Sequence, residues 1–217
     1  MICPASGIVV AGGVSRRLGQ DKRALRLFSS RTLLEETVAR VATLTDDVVV
    51  VVSGQPEQFA GLPAAIVVDP LPGAGPLNAL CAGLSATRHG FALTVACDLP
   101  FLSVPLLRSL LEQPRDYAAL VPRRADGTLE MLHAIYRKTC LGAIQRRLRA
   151  GQFKLSALVA DVPARFVDEA ALLPYDPELR SFLNVNTPAD LEVVEALLPV
   201  RDVPTSLPLP PGRVVPE

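Results

Sequence analysis

The chain has 217 residues, 49% of them hydrophobic, and its 22 basic residues are balanced by 22 acidic ones. That length allows one large domain or two small ones, with enough core to fold without disulfides or structural metals. Zero net charge and a pI near 6.7 exclude the electrostatic footprint of a nucleic-acid platform. Mean hydropathy is +0.32, yet no apolar run reaches the ~18 residues of a membrane span. Ile8 to Ala11 is too short for a signal peptide and follows no basic segment. A cytoplasmic, core-rich protein is expected. Cys3, Cys81, Cys97 and Cys140 form no CxxC or Cys/His cluster and read as buried thiols. With only His89 and His133, no histidine-rich metal site is available.

In chain order, Ile8 to Ala11, closed by Gly12-Gly13, reads as a buried strand. Leu33 to Leu44 carries apolar residues at helical spacing, and Thr32 with Glu35 supplies a capping box. Val48 to Val52 is an unbroken β-branched run that fits an interior parallel strand, and Ala65 to Val68 repeats the pattern. Pro76 to Thr87 is a helix, Phe91 to Ala96 a strand, and Val104 to Leu111 a helix. Ala118–Pro122 and Leu132–Arg137 are strand candidates around Ala125-Asp126-Gly127, a hairpin signal. Thr139 to Ala150 and Thr187 to Leu198 read as late helices, the second with Pro188 at its start.

Alternating strands and helices of this kind predict an α/β fold: a three-layer, Rossmann-like, open and mostly parallel sheet with an antiparallel insertion. A single domain over 1–198 is expected. Six of the last 19 residues are proline, so 199–217 reads as an extended tail.

The chemistry concentrates in Ile8 to Lys22, a strand followed by glycines, a serine, two arginines and a lysine. Glycines admit close backbone approach to phosphates, Ser15 adds a donor, and Arg16 or Arg17 with Lys22 balances triphosphate charge. Ligands of open α/β sheets bind outside the carboxyl ends of the strands, where this loop lies. The spacing matches neither GxxxxGK[ST] nor GxGxxG. An ordinary glycine-rich turn with solvated basic residues is the alternative.

Ala11-Gly12-Gly13-x-Ser15-x-Arg17-Leu18-Gly19-x-Asp21-Lys22 resembles the signature loop of the molybdenum cofactor guanylyltransferases, the MobA-like nucleotidyltransferases, with leucine for the usual methionine. Asp69-Pro70-Leu71-Pro72-Gly73-Ala74-Gly75-Pro76-Leu77-Asn78 resembles the family's aspartate and Gly-Pro-Leu loop. Cys97-Asp98-Leu99-Pro100 resembles its metal-binding Cys-Asp-x-Pro, and Asn184-Val185-Asn186-Thr187-Pro188 its late Asn-x-Asn-Thr-Pro. The four segments keep the family order between Ile8 and Leu198.

The resemblance implies a nucleotide-diphospho-sugar-transferase-like fold and transfer of GMP from GTP to the molybdopterin form of the molybdenum cofactor, with Mg²⁺ as cofactor and pyrophosphate as leaving group. Arg17, Lys22 and Asp98 are the implied catalytic residues, Asp98 also being the metal ligand. Ala11, Gly12, Gly13, Ser15, Lys22, Asp69, Gly75, Pro76 and Leu77 form the implied nucleotide site, and Asn184 and Asn186 the substrate site. GTP, molybdopterin and transient partners among molybdoenzymes or cofactor-biosynthesis proteins follow from it.

Each residue also has a plainer reading. Asp98 is a hard oxygen ligand suited to Mg²⁺ or, alternatively, a helix N-cap, although Ser103 stands nearer Val104. Asp69 offers acceptors for guanine N1–H and N2–H₂, or serves a turn before Pro70. Asn184 and Asn186 point the same way along an extended segment, or cap the helix at Pro188. His133 reads as a hydrogen-bonded structural histidine. Family members often carry asparagine where this chain has Val51, or Ser53 if the register shifts. A cytidylyl- or other nucleotidyltransferase and a non-catalytic nucleotide-binding homologue are the competing functions.

Overall fold

The computed structural model describes residues 4–12, 21–27 and 31–198. Among the described residues seven strands are formed: β1 (Ser6–Ala11), β2 (Val48–Val52), β3 (Ala65–Val68), β4 (Phe91–Ala96), β5 (Ala119–Arg123), β6 (His133–Arg137) and β7 (Ala164–Asp168). They make one sheet in the order β3-β2-β1-β4-β6-β5-β7, in which β6 alone runs against its neighbours. The helices are α1 (Leu33–Ala42), α2 (Pro76–Ala86), α3 (Val104–Leu111), α4 (Leu141–Arg149), the short α5 (Glu169–Leu172) and α6 (Pro188–Leu197).

The interior strands read as apolar runs because both their faces are covered. Val9, Val50, Val52, Leu93, Val95 and Ile135 pack with α1 and α3. The alternate residues Ile8, Val10, Val49, Val51, Ala92 and Tyr136 pack with α2 and α4. Gly83 sets the close approach of α2: a Cβ there would lie 2.7 Å from Ile8 Cγ2. That contact fixes where the N-terminus of α2 ends up beside the sheet.

Two strands depart from expectation. β3 repeats the β2 pattern but lies at the sheet edge, with Val68 42% exposed. β7 escaped the sequence reading because its alternation (Ala164, Arg165, Phe166) marks a half-exposed edge, not an apolar run. The hairpin forms as anticipated: Arg124 N–H donates to Thr128 O at 2.8 Å, and Gly127 holds φ +84°. Among the described residues no helix is long and apolar enough to cross a membrane. The expected tail 199–217 and Cys3 lie outside the described residues.

Candidate active site

At the carboxyl edge of the sheet a cleft of about 350 Å³ is lined by residues following β1, β3 and β4 and by the approach to β6. Gly12, Lys22, Asp69, Gly75, Asp98 and Asn184 all line it. Residues 174 positions apart at their extremes, Val10 and Asn184, thus meet where an open α/β sheet binds its ligands.

Lys22 is held there by a single 3₁₀ turn, Lys22–Ala24, capped by Asp21, whose Oδ1 accepts from Arg23 N–H at 2.9 Å. The Arg23 guanidinium grips the same carboxylate at 2.7 Å, lies 5.0 Å over the Phe59 ring and donates to Ser53 O. That grip holds the Asp21 carboxyl below the usual carboxylate range. Arg23 is therefore a brace of the loop, whereas Lys22 turns to the cleft. Lys22 Nζ donates to Asp98 Oδ2 at 2.5 Å and to Asn186 Oδ1 at 3.1 Å. Both members of the ion pair are only 13% exposed.

Asp98 follows β4 directly, and its backbone oxygen accepts from Val185 N–H at 2.9 Å. Val185 is buried against Leu27, Leu33 and Val194, which locks the extended Asn184–Asn186 segment beside Asp98. Asn184 then lines the cleft while Asn186 meets Lys22. The capping alternatives fall away. Thr187 with Asp190 forms the capping box of α6, and Ser103 Oγ accepts from Leu106 N–H at the start of α3.

Asp69 is 5% exposed, and its Oδ1 accepts from Leu71 N–H at 3.0 Å and from the Asn78 amide. The turn role and the cleft role therefore coexist, because Oδ2 lies on the Gly12 side, 3.9 Å from where a Gly12 Cβ would stand. Gly75 holds φ +97° ahead of Pro76 and α2, so only glycine makes this turn without strain. The positive end of the α2 backbone dipole is directed at the cleft that Pro76 and Ala79 line.

Some residues of the expected set sit elsewhere. Ala11 and Leu77 are enclosed in the core, so only their backbone is available to a ligand. Val51 is wholly buried against Ile8 and Gly83, away from the cleft. Gly13, Ser15 and Arg17 lie outside the described residues. His133 contradicts its expectation: it is 1% exposed and neither ring nitrogen has a hydrogen-bond partner among the described residues. Burial pushes its pKa down to about 4.

Glu130 is the cleft residue that sequence reading missed. It stands next to the hairpin turn rather than at a strand end, and no motif surrounds it. Burial raises its pKa, although the Arg124 guanidinium stands 4.0 Å away.

No three His, Cys, Asp or Glu side chains gather into a metal-holding group among the described residues. The candidate ligands beside the Lys22 ammonium are nonetheless hard oxygens, from Asp98 and Asn184. Such a set fits Mg²⁺ held by one carboxylate and completed by substrate phosphates and water.

Similarity to known proteins runs the same way. A model of the MobA-like NTP transferase domain matches residues 7–166. The probable molybdenum cofactor guanylyltransferase of Chloroflexus aggregans is 39% identical over 204 residues, covering 91% of this chain and 97% of that protein. The molybdenum cofactor guanylyltransferase of Desulfosudis oleivorans is 34% identical, covering 89% and 95%. Among solved structures, molybdopterin-guanine dinucleotide biosynthesis protein A of Archaeoglobus fulgidus superposes with a TM-score of 0.77 at 26% identity, covering 88% of this chain and 97% of that one. With four motifs meeting at one cleft and these relatives spanning nearly its whole length, the chain belongs to the MobA-like NTP transferase domain family.

Proposed function

We propose that the protein is a Mg²⁺-dependent guanylyltransferase that moves GMP from GTP to molybdopterin and releases pyrophosphate. The observation that carries this reading is the contact of Lys22 with Asp98 and Asn186, which joins three separate motifs at the cleft. The names of the relatives supply the substrates.

In the reaction a phosphate oxygen of molybdopterin bonds to the α-phosphorus of GTP as the bond from that phosphorus to the β-phosphate oxygen breaks. The enzyme's work is positioning and charge stabilisation. Lys22 neutralises the triphosphate, backbone N–H groups near Gly12 and the start of α2 cradle it, and Asp69 Oδ2 receives a guanine N–H. Asp98 holds the Mg²⁺, which when bound offsets phosphate charge. Arg17 and Ser15 add phosphate contacts, and Asn184 orients the acceptor. No covalent nucleophile is required. Cys97, the thiol next to Asp98, is fully buried with its pKa pushed up to about 12, so it is inert.

Melting with Mg²⁺ and each of GTP, CTP, ATP and UTP tests the nucleotide. At a hundredfold excess over Kd, GTP stabilises by about 2.7 kcal/mol, or roughly 5–10 °C. The other three give little. A larger shift with CTP would replace guanylyl by cytidylyl transfer. Pyrophosphate release only when molybdopterin is added completes the assignment, and its absence favours a non-catalytic homologue.

Gly12→Ala probes the cleft itself. The new methyl meets Asp69 Oδ2 at an ordinary contact distance of 3.9 Å, so the apo protein keeps its melting temperature. The methyl occupies ligand space, however, and GTP affinity falls by about ten- to a hundredfold, the effect of roughly 1–3 kcal/mol of overpacking. Calorimetric titration beside a melt separates the two.

A further inference from the structure

Glu130 owes its place in the cleft to a break in the β5–β6 hairpin. Leu120 pairs with Ile135, and the next bridge is Arg123 with Leu129. Between these pairs the first strand advances three residues and the second six. Glu130 N–H still donates to Pro122 O at 3.0 Å, so Glu130 is the last residue paired at the turn end, and the surplus leaves the ladder just after it, at Met131 and Leu132, a bulge of the kind that re-aims side chains beside sites. It is firmly pinned: the buried Tyr136 hydroxyl donates to Met131 O at 2.7 Å, Ala96 N–H to Leu132 O at 3.1 Å and His133 N–H to Glu130 O at 3.1 Å. Both Glu130 and Leu132 line the cleft.

The sheet order puts this bulge at the opposite end of the cleft from Asp69. Asp69 follows β3, Gly12 follows β1, Asp98 follows β4, and Glu130 precedes β6. The strand ends that carry Asp69 and Glu130 are four strand spacings apart, roughly 19 Å, although the Asp69 carboxylate reaches back toward Gly12. One carboxylate therefore stands at each end, with the phosphate and metal residues between them. The far end adds apolar surface from Leu99, Leu132 and Phe182, and the amide of Asn184. On the guanylyltransferase reading, both heterocycles to be joined carry the same hydrogen-bonding edge, a ring N–H beside an exocyclic amine. A carboxylate accepts such a donor pair through its two oxygens.

We propose that Glu130 is the acceptor-recognising residue, taking the N3–H and 2-amino donors of the pterin ring of molybdopterin, which lies against Phe182 and Leu132. This rests on the guanylyltransferase reading. Asp69, whose Oδ1 is taken by Leu71 N–H and the Asn78 amide, offers Oδ2 to a guanine N–H at the other end, so the cleft handles two look-alike heterocycles by separating them in space.

Pterin and lumazine, which has a carbonyl in place of the 2-amino group, are both fluorescent and serve as probes for the full chain saturated with GTP and Mg²⁺. The wild type prefers pterin to lumazine by about ten- to a hundredfold, the worth of one hydrogen bond to a charged group. Glu130→Gln loses that preference, since its amide supplies a donor where an acceptor is needed, while its GTP titration and melting curve stay unchanged. Equal binding of the two probes by the wild type, or an undiminished preference in Glu130→Gln, overturns the proposal. Failure of the guanylyltransferase reading shows separately, as a nucleotide other than GTP giving the largest thermal shift. In turnover, Glu130→Gln raises KM for molybdopterin and leaves KM for GTP alone; a matching rise in both would also overturn the assignment.

Discussion

Asp98→Asn lowers GTP-dependent pyrophosphate release by about a hundred- to a thousandfold, the usual cost of removing one electrostatic contact to a transition state. The substitution is chosen for shape. Its amide oxygen still accepts from Lys22 Nζ, which also keeps Asn186 Oδ1 at 3.1 Å. The loss of one charge from a mostly buried pair then costs about 1.5–3 kcal/mol, several degrees of melting temperature. Asp98→Ala would leave the ammonium with Asn186 and unfilled space, and so mixes two effects. The readout that isolates the metal role is the Mg²⁺ dependence of GTP stabilisation: wild type gains from added Mg²⁺ and Asp98→Asn does not. Retained turnover, or an unchanged Mg²⁺ response, would sink the assignment.

The same ion pair explains why Lys22 and Asp98 should fail together. Without ligand each neutralises the other at 2.5 Å. In the proposed complex they exchange partners, the ammonium going to phosphate and the carboxylate to the metal. Each half of that exchange needs the other, so Lys22→Met combined with Asp98→Asn should be little worse than the more damaging single variant, the non-additivity of groups acting as a unit.

Strands β1, β2 and β4 were legible because an interior parallel strand buries both faces and so writes itself as an unbroken apolar run. Their ends at Gly12 and Asp98 were legible for the same reason. β7 was not, because an edge strand needs only one apolar face. Glu130 was hidden more deeply. It is the last paired residue before three surplus residues break the hairpin ladder, a register fact that emerges only when both strands are paired. The Asp21-Lys22-Arg23 run shows the converse limit: its two cations are adjacent in sequence, yet Arg23 is spent on Asp21 and Phe59, and of the two only Lys22 lines the cleft.

His133→Leu has the other large expected effect, on stability and its response to acid. His133 lies on β6 facing the α3 side, its ring 5.0 Å edge-on to Phe182, with both nitrogens lacking a hydrogen-bond partner among the described residues. Desolvation lowers its pKa to about 4, with Asp176 opposing weakly, so the folded protein keeps the ring neutral. The unfolded chain protonates it near its ordinary value of about 6.5. Between those two values the unfolded state binds the extra proton, so stability falls as pH drops from about 6.5 to about 4 and is flat for this group on either side. The gap corresponds to roughly 3 kcal/mol. Leucine carries no proton in either state, and it replaces two unpaired buried nitrogens by carbon, which is neutral or stabilising at pH 7.5. The stability of His133→Leu over wild type, from urea unfolding, should therefore widen by about 2–3 kcal/mol between pH 7.5 and pH 4.5. Parallel pH curves would mean that the imidazole finds a proton acceptor or water in its pocket.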